Sequence, residues 1–201
     1  MKKTGIFGGT FSPIHIGHLG IALRAFEQYH LDKVIFLPNG NPPHKSGQHV
    51  LDGRIRAEMV KLAIADRPEF GFSDMEILRE DFSYTAQSLE RFCDQDPDAE
   101  YYFIMGADSL DYLDSWYHPE RIFAKAAILA ARRGDLDPAR MEEKAQQIKE
   151  KFTEARIYFL DVPNIDISSN YIRHAVAEGY SVRYYVTEEV ADFIEKHGLY
   201  K

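Results

Sequence analysis

Two histidines three residues apart, His15 and His18, stand at the end of the run Gly8-Gly9-Thr10-Phe11-Ser12-Pro13-Ile14-His15-Ile16-Gly17-His18. At the start of a helix this spacing sets both imidazoles above one turn, where both can donate to the same anion. Gly8 and Gly9 suit a tight turn with close backbone approach. The helix N-terminus that follows directs free N–H groups and a partial positive charge outward. The combination suits a phosphate group. Zinc ligation competes for the histidines, but the spacing lacks the intervening Glu and the four-residue step of the zincin motif, and no third ligand stands nearby. Two ordinary polar helix residues are the plain alternative, against which the glycine-rich setting weighs.

A second group lies far along the chain, in Ile167-Ser168-Ser169-Asn170-Tyr171-Ile172-Arg173. Ser168 and Ser169 at a helix N-terminus offer hydroxyl and backbone donors, and Arg173, a turn later, offers a planar fork suited to phosphate. A simple Ser-capped helix explains the same residues equally well. Gly106-Ala107-Asp108 follows an apolar run, which puts Asp108 at a strand's carboxyl edge near a ligand, unless it caps the next helix. Arg132 and Arg133 follow another such run and either reach a phosphate or substrate or form a surface pair. Arg54 and Arg56 read as solvated.

These groups need a scaffold that gathers them. Short β-branched and aromatic runs at 4–7, 34–37, 70–73, 101–105, 127–131 and 156–160 read as strands. Helical patterns alternate with them, with apolar faces such as Leu19, Ala22, Leu23 and Phe26, or Ile55, Met59, Leu62 and Ala63. Nearly continuous apolar strands separated by helices predict a doubly wound, Rossmann-like α/β/α sandwich with a mostly parallel sheet, which binds ligands at its carboxyl edge. Asp137 before Pro138 predicts a polar, solvated helix towards Phe152; Ser168 caps a helix ended by Gly179, and Thr187 one stopped by Gly198. The one conspicuous loop is Pro38-Asn39-Gly40-Asn41-Pro42-Pro43-His44-Lys45.

The 201 residues carry a net charge of −8 and are 45% hydrophobic, which fits one domain over 1–201. The charge disfavours a nucleic-acid binder, so any phosphate site must be local. No apolar run approaches the ~18 residues of a membrane span, and Met1-Lys2-Lys3-Thr4-Gly5 leads into a strand-like segment, so a cytoplasmic protein with no membrane partner is expected. The lone Cys93 allows no intrachain disulfide and no Cys-rich metal site. Monomer, dimer and higher homo-oligomer are all compatible with this charge.

With the HxGH signature of residues 15–18 after Gly8-Gly9-Thr10-Phe11, the chain resembles the nucleotidyltransferase superfamily that shares its fold with class I aminoacyl-tRNA synthetases. Residues 167–173 resemble the ISSTxIR element of its adenylyltransferases. The chain resembles the bacterial nicotinate-nucleotide adenylyltransferases almost from end to end, and three further segments are diagnostic: Asn41-Pro42-Pro43-His44-Lys45, Ser83-Tyr84-Thr85, and Gly106-Ala107-Asp108 with Trp116-Tyr117. The ending His197-Gly198-Leu199-Tyr200 is also similar. Ser12 and Asn170 depart from that family, which usually has Asp and Ser or Thr there; both can still hydrogen-bond a turn.

The resemblance implies AMP transfer from ATP to nicotinate mononucleotide, giving nicotinate adenine dinucleotide and pyrophosphate in NAD biosynthesis. It implies catalytic roles for His15, His18 and Arg173, and ATP binding by these with Gly8, Gly9, Thr10, Gly106, Asp108, Ser168 and Ser169. For the pyridine nucleotide it implies Lys45, Tyr84, Thr85, Trp116, Tyr117 and Arg132. Trp116, the only tryptophan, would stack on the electron-poor ring, and backbone N–H groups near Thr85 and Tyr117 would receive the carboxylate. A core anchor for Trp116 and an ordinary buried ring for Tyr84 are the alternatives. Mg²⁺ would accompany ATP, held by phosphate oxygens and water, with no protein ligand named. Pantetheine-phosphate adenylyltransferase, which lacks these three segments, and a catalytically idle nucleotide-binding regulator are the rivals; a synthetase is disfavoured by length.

Overall fold

The computed structural model describes residues 1–40, 50–79, 82–132 and 137–201. All six predicted strands form: β1 (Lys3–Gly9), β2 (Lys33–Pro38), β3 (Phe70–Phe72), β4 (Glu100–Gly106), β5 (Ala126–Ala131) and β6 (Ile157–Leu160). They make one sheet in the order β3-β2-β1-β4-β5-β6, and every pairing is parallel. The sheet is thus wholly parallel where the sequence predicts mostly parallel. This is the 3-2-1-4-5-6 order of doubly wound sheets, whose strand direction of travel reverses between β1 and β4 and opens a crevice at their carboxyl ends.

The helices are α1 (Ile16–Gln28), α2 (Gly53–Ala63), α3 (Thr85–Gln95), α4 (Pro119–Lys125), α5 (Pro138–Lys151), α6 (Ser169–Ala177) and α7 (Glu188–Lys196), with a 3₁₀ helix over Ala107–Ser115. They cover both faces because alternate strand residues point to opposite sides. Phe7, Phe36, Tyr102, Ile104 and Leu129 pack with α1, α2, α6 and α7. Ile6, Leu37, Phe103, Met105 and Ile128 pack with α3, α4, α5 and the 3₁₀ helix. A strand buried on both faces has no polar alternation, which is why these strands read as apolar runs.

The predicted caps form. Asp137 accepts from the N–H of Ala139 at 2.9 Å, Ser168 Oγ from that of Tyr171 at 3.1 Å, and Thr187 Oγ1 from that of Val190 at 3.4 Å. Gly179 and Gly198 take φ values of +78° and +58° just beyond α6 and α7, where a Cβ would be strained. Two expectations need correction. α5 is not simply solvated: Met141, Ala145 and Ile148 form a buried stripe at helical spacing. Arg56 is not solvated either, being 2% exposed, whereas Arg54 is exposed as predicted. Among the described residues, no helix is long and apolar enough to cross a membrane.

Candidate active site

β1 delivers Gly8 and Gly9 to the sheet edge beside β4, and the turn that follows leads to His15, the N-cap of α1. A Cβ on Gly9 would stand 2.7 Å from the Phe11 ring, so glycine lets that ring close the turn. The His15 and His18 rings lie 3.7 Å apart and tilted by 31°, on one face as their spacing predicts. His15 is 2% exposed. A Cβ on Gly17 would reach within 3.0 Å of His15 Nδ1, so the glycine of the signature makes room for the buried imidazole. His18 Nδ1 accepts from the backbone N–H of His15 at 3.3 Å, while the rings of Phe7 and Phe11 hold the imidazole edge-on. A ring nitrogen that accepts a hydrogen bond carries no proton, which leaves Nε2 of His18 as the N–H donor.

α6 docks on this turn from the opposite end of the chain. Ser169 Oγ donates to the Pro13 carbonyl at 2.9 Å, and Arg173 Nη1 donates to that of Ser12 at 2.8 Å. Asn170 Oδ1 accepts from Arg173 Nη2 at 3.1 Å, so this departure from the family pattern helps to orient the guanidinium. Ser12, the other departure, meets Tyr200 Oη at 3.1 Å through its hydroxyl. The two widely separated motifs are thereby one structural unit, with Ser168 held as the helix cap.

Next to this unit, at the β1–β4 crevice, lies a cavity of about 290 Å³. Gly8, Gly9 and Thr10 form one wall, and Tyr84, Thr85, Trp116 and Tyr117 another. Thr85 opens α3, whose first turn contains no acidic side chain, so its N–H groups are suited to an anion. Trp116 packs edge-on against Phe103 at 6.1 Å and is half-buried, and Tyr117 stacks on Tyr84 at 4.2 Å. Trp116 is therefore both a packed residue and a cavity wall.

Not every predicted residue converges here. Asp108 does lie at the β4 edge, in the first turn of the 3₁₀ helix, but its exposed side chain is not part of the cavity wall. Nor does it take the N-cap position, which Gly106 occupies. Arg132 turns away from the cavity: it bonds Glu142 at 2.8 Å and lies over the Phe159 ring at 4.5 Å, committed to α5 and β6. Lys45 and Arg133 lie outside the described residues.

Two buried groups at the cavity are not identified from the sequence: Glu76, which lines it, and Arg56, which the sequence reading leaves solvated. Glu76 is 2% exposed and accepts from Ser88 Oγ at 2.6 Å and from Asn39 Nδ2 at 3.2 Å, tying α3 to the segment after β2. Burial pushes its carboxyl pKa up, against the opposing effect of those hydrogen bonds and of Ser83. Arg56 donates to the carbonyls of Leu51, Thr10, Asn39 and Gly40. Burial lowers its pKa. Glu76, seven residues before Ser83 and with Glu80 and Asp81 nearer, has no distinguishing sequence signal, and that of Arg56 is an arginine on an otherwise apolar helix face.

The donors gathered around the α1 turn are N–H groups, imidazoles and a guanidinium, which suit phosphate oxygens. A hard divalent cation takes oxygen ligands, and among the described residues no three His, Cys, Asp or Glu side chains cluster to supply them.

The comparisons with known proteins agree with this geometry. The family model described as cytidylyltransferase-like matches residues 6–175. A protein of Lachnoclostridium phytofermentans named "Probable nicotinate-nucleotide adenylyltransferase" is 46% identical over 200 residues, with 100% of both chains covered. One of Clostridium novyi with the same name is 42% identical over 201 residues, again covering 100% of both. Among solved structures, nicotinic acid mononucleotide adenylyltransferase of Plasmodium falciparum complexed with NaAD shares the fold with a TM-score of 0.81 at 19% identity, covering 100% of this chain and 98% of that one. The chain therefore belongs to the cytidylyltransferase-like family and, within it, with the nicotinate-nucleotide adenylyltransferases.

Proposed function

We propose that the protein transfers AMP from ATP to nicotinate mononucleotide, forming nicotinate adenine dinucleotide and pyrophosphate. The observation that carries this reading is the juxtaposition at the β1–β4 crevice. An aromatic-walled cavity with a helix N-terminus, suited to a ring bearing a carboxylate, adjoins the glycine turn and paired imidazoles suited to phosphates.

In the reaction, a phosphate oxygen of the mononucleotide attacks the α-phosphorus of ATP. The bond from that phosphorus to the bridging oxygen breaks, and pyrophosphate departs with the electron pair. The nucleophile is already an anion, so no general base and no covalent intermediate are required. Catalysis consists of alignment and of stabilising charge on the leaving group. His15, His18 and Arg173 serve as donors, with Gly8, Gly9 and Thr10 admitting the phosphates and Ser168 and Ser169 contributing from α6. Trp116 stacks on the pyridine, and the N–H groups at Thr85 and Tyr117 take its carboxylate. Mg²⁺ entering with ATP would be held by phosphate oxygens and water, with no side chain of this protein assigned to it, and would supply charge neutralisation.

The test is pyrophosphate release with Mg-ATP and, separately, nicotinate mononucleotide, nicotinamide mononucleotide and phosphopantetheine, with His18→Ala as control. Release mainly with the nicotinate compound supports the reading. Release with phosphopantetheine replaces the substrate, and ATP binding without release points to the regulator.

A further inference from the structure

The parallel ladder between β1 and β2 ends at the Gly9–Pro38 pair, with one more bond from the Asn39 N–H to the Gly9 carbonyl at 2.9 Å. Beyond it the two segments diverge, and among the described residues the Arg56 side chain bonds to both. Arg56 Nη1 donates to the Thr10 carbonyl at 2.7 Å, Nη2 to those of Asn39 at 2.7 Å and Gly40 at 3.2 Å, and Nε to that of Leu51 at 2.9 Å. Thr10 and Asn39 both line the cavity. A cation this deeply buried is costly to keep, and here its bonds go to main-chain carbonyls of three separate segments, not to a carboxylate. A hydrophobic residue would fill the space; only a planar, multi-pronged donor meets all four carbonyls in one fixed arrangement.

We propose that Arg56 is a positioning residue for adenylyl transfer. It locks the glycine turn, which lines the cavity and leads on to the paired imidazoles, to the segment after β2 that lines the same cavity, and so fixes the offset between the attacking phosphate and the α-phosphorus. This inference rests on the proposed reaction, in which alignment supplies much of the catalysis and a displacement of about 1 Å can cost about 10²-fold in rate. Lysine keeps the charge but has a flexible stem ending in a point donor, which cannot hold the two segments in register.

The experiment uses Arg56→Lys in the full chain and measures kcat, thermal unfolding, and the separate affinities for a non-hydrolysable ATP analogue, nicotinate mononucleotide and the dinucleotide product. Each mononucleotide occupies one side, whereas the dinucleotide spans both and senses their offset. The expected result is that both single-nucleotide Kd values stay within about threefold while kcat and dinucleotide affinity fall about 10²-fold. A proportional loss of all three affinities, or a lowered unfolding temperature with kcat and Kd intact, overturns the proposal. If Arg56→Lys does not fold, Arg56→Gln takes its place, and failure of both to fold assigns Arg56 a purely structural role and also overturns it. Wild-type protein inactive with nicotinate mononucleotide overturns the functional reading, and this inference falls with it. An active wild type with no such split overturns this inference alone.

Discussion

Tyr200 Oη lies 3.1 Å from Ser12 Oγ, while the carbonyl of the same serine accepts from Arg173. A residue beyond α7 thus braces the turn that leads to His15. Burial pushes the Tyr200 phenol up to about 12, so it stays protonated at neutral pH and able to donate. Tyr200→Phe should lower unfolding free energy by about 1 kcal/mol, the net worth of one such bond. Denaturant unfolding measures this, and the KM for nicotinate mononucleotide should not move.

His15→Ala and His18→Ala should each reduce kcat by about 10²–10³-fold, the loss expected for one donor to developing charge, with a smaller effect on ATP binding. Gly17→Ala should reproduce part of the His15 effect, because the new Cβ would press on His15 Nδ1 at 3.0 Å. Steady-state rates of the three variants check this; near-normal turnover in both histidine variants would remove their assigned role.

Trp116→Ala should raise the KM for nicotinate mononucleotide by about tenfold, as loss of an aromatic stack of about 1 kcal/mol plus buried area implies, and leave that for ATP unchanged. Initial rates with each substrate varied in turn decide it. A change confined to ATP would contradict the stacking role.

Glu76 gives a pH dependence with a definite sign. Its folded-state pKa is raised by burial, so between the ordinary glutamate value and the raised one the native state holds a proton that the unfolded chain has released. Its stabilising contribution is therefore full below the ordinary value and is lost as pH rises through the raised one. The stability of wild type relative to Glu76→Gln should decline across that window. Thermal melts of both proteins from acid to neutral pH test it, and parallel curves would contradict the assignment.

The sequence carries much of this in local signals. Strands buried on both faces leave apolar runs, and caps such as Asp137 and Ser168 act within three residues of themselves, so both are readable from a short window. The histidine pair is readable because helix geometry ties positions three apart. Arg56 is not, since its partners Thr10 and Asn39 lie 46 and 17 residues away and only the sheet brings them near. Glu76 is hidden for the same reason, with Asn39 37 residues off. Arg132 misleads in the opposite direction: it follows a strand at the carboxyl edge, yet β5 lies beyond β4 from the crevice, and Glu142 and Phe159 hold the guanidinium elsewhere.

Because the chain has one tryptophan and Trp116 lines the cavity, the molecule contains its own optical reporter. Every photon of indole emission comes from this wall, with no second fluorophore of its kind to dilute the signal. An electron-poor ring stacked on the indole should quench that emission, whereas a ligand confined to the glycine turn should leave it nearly unchanged. Occupancy of one half of the crevice can thus be followed in real time, without labels and without turnover.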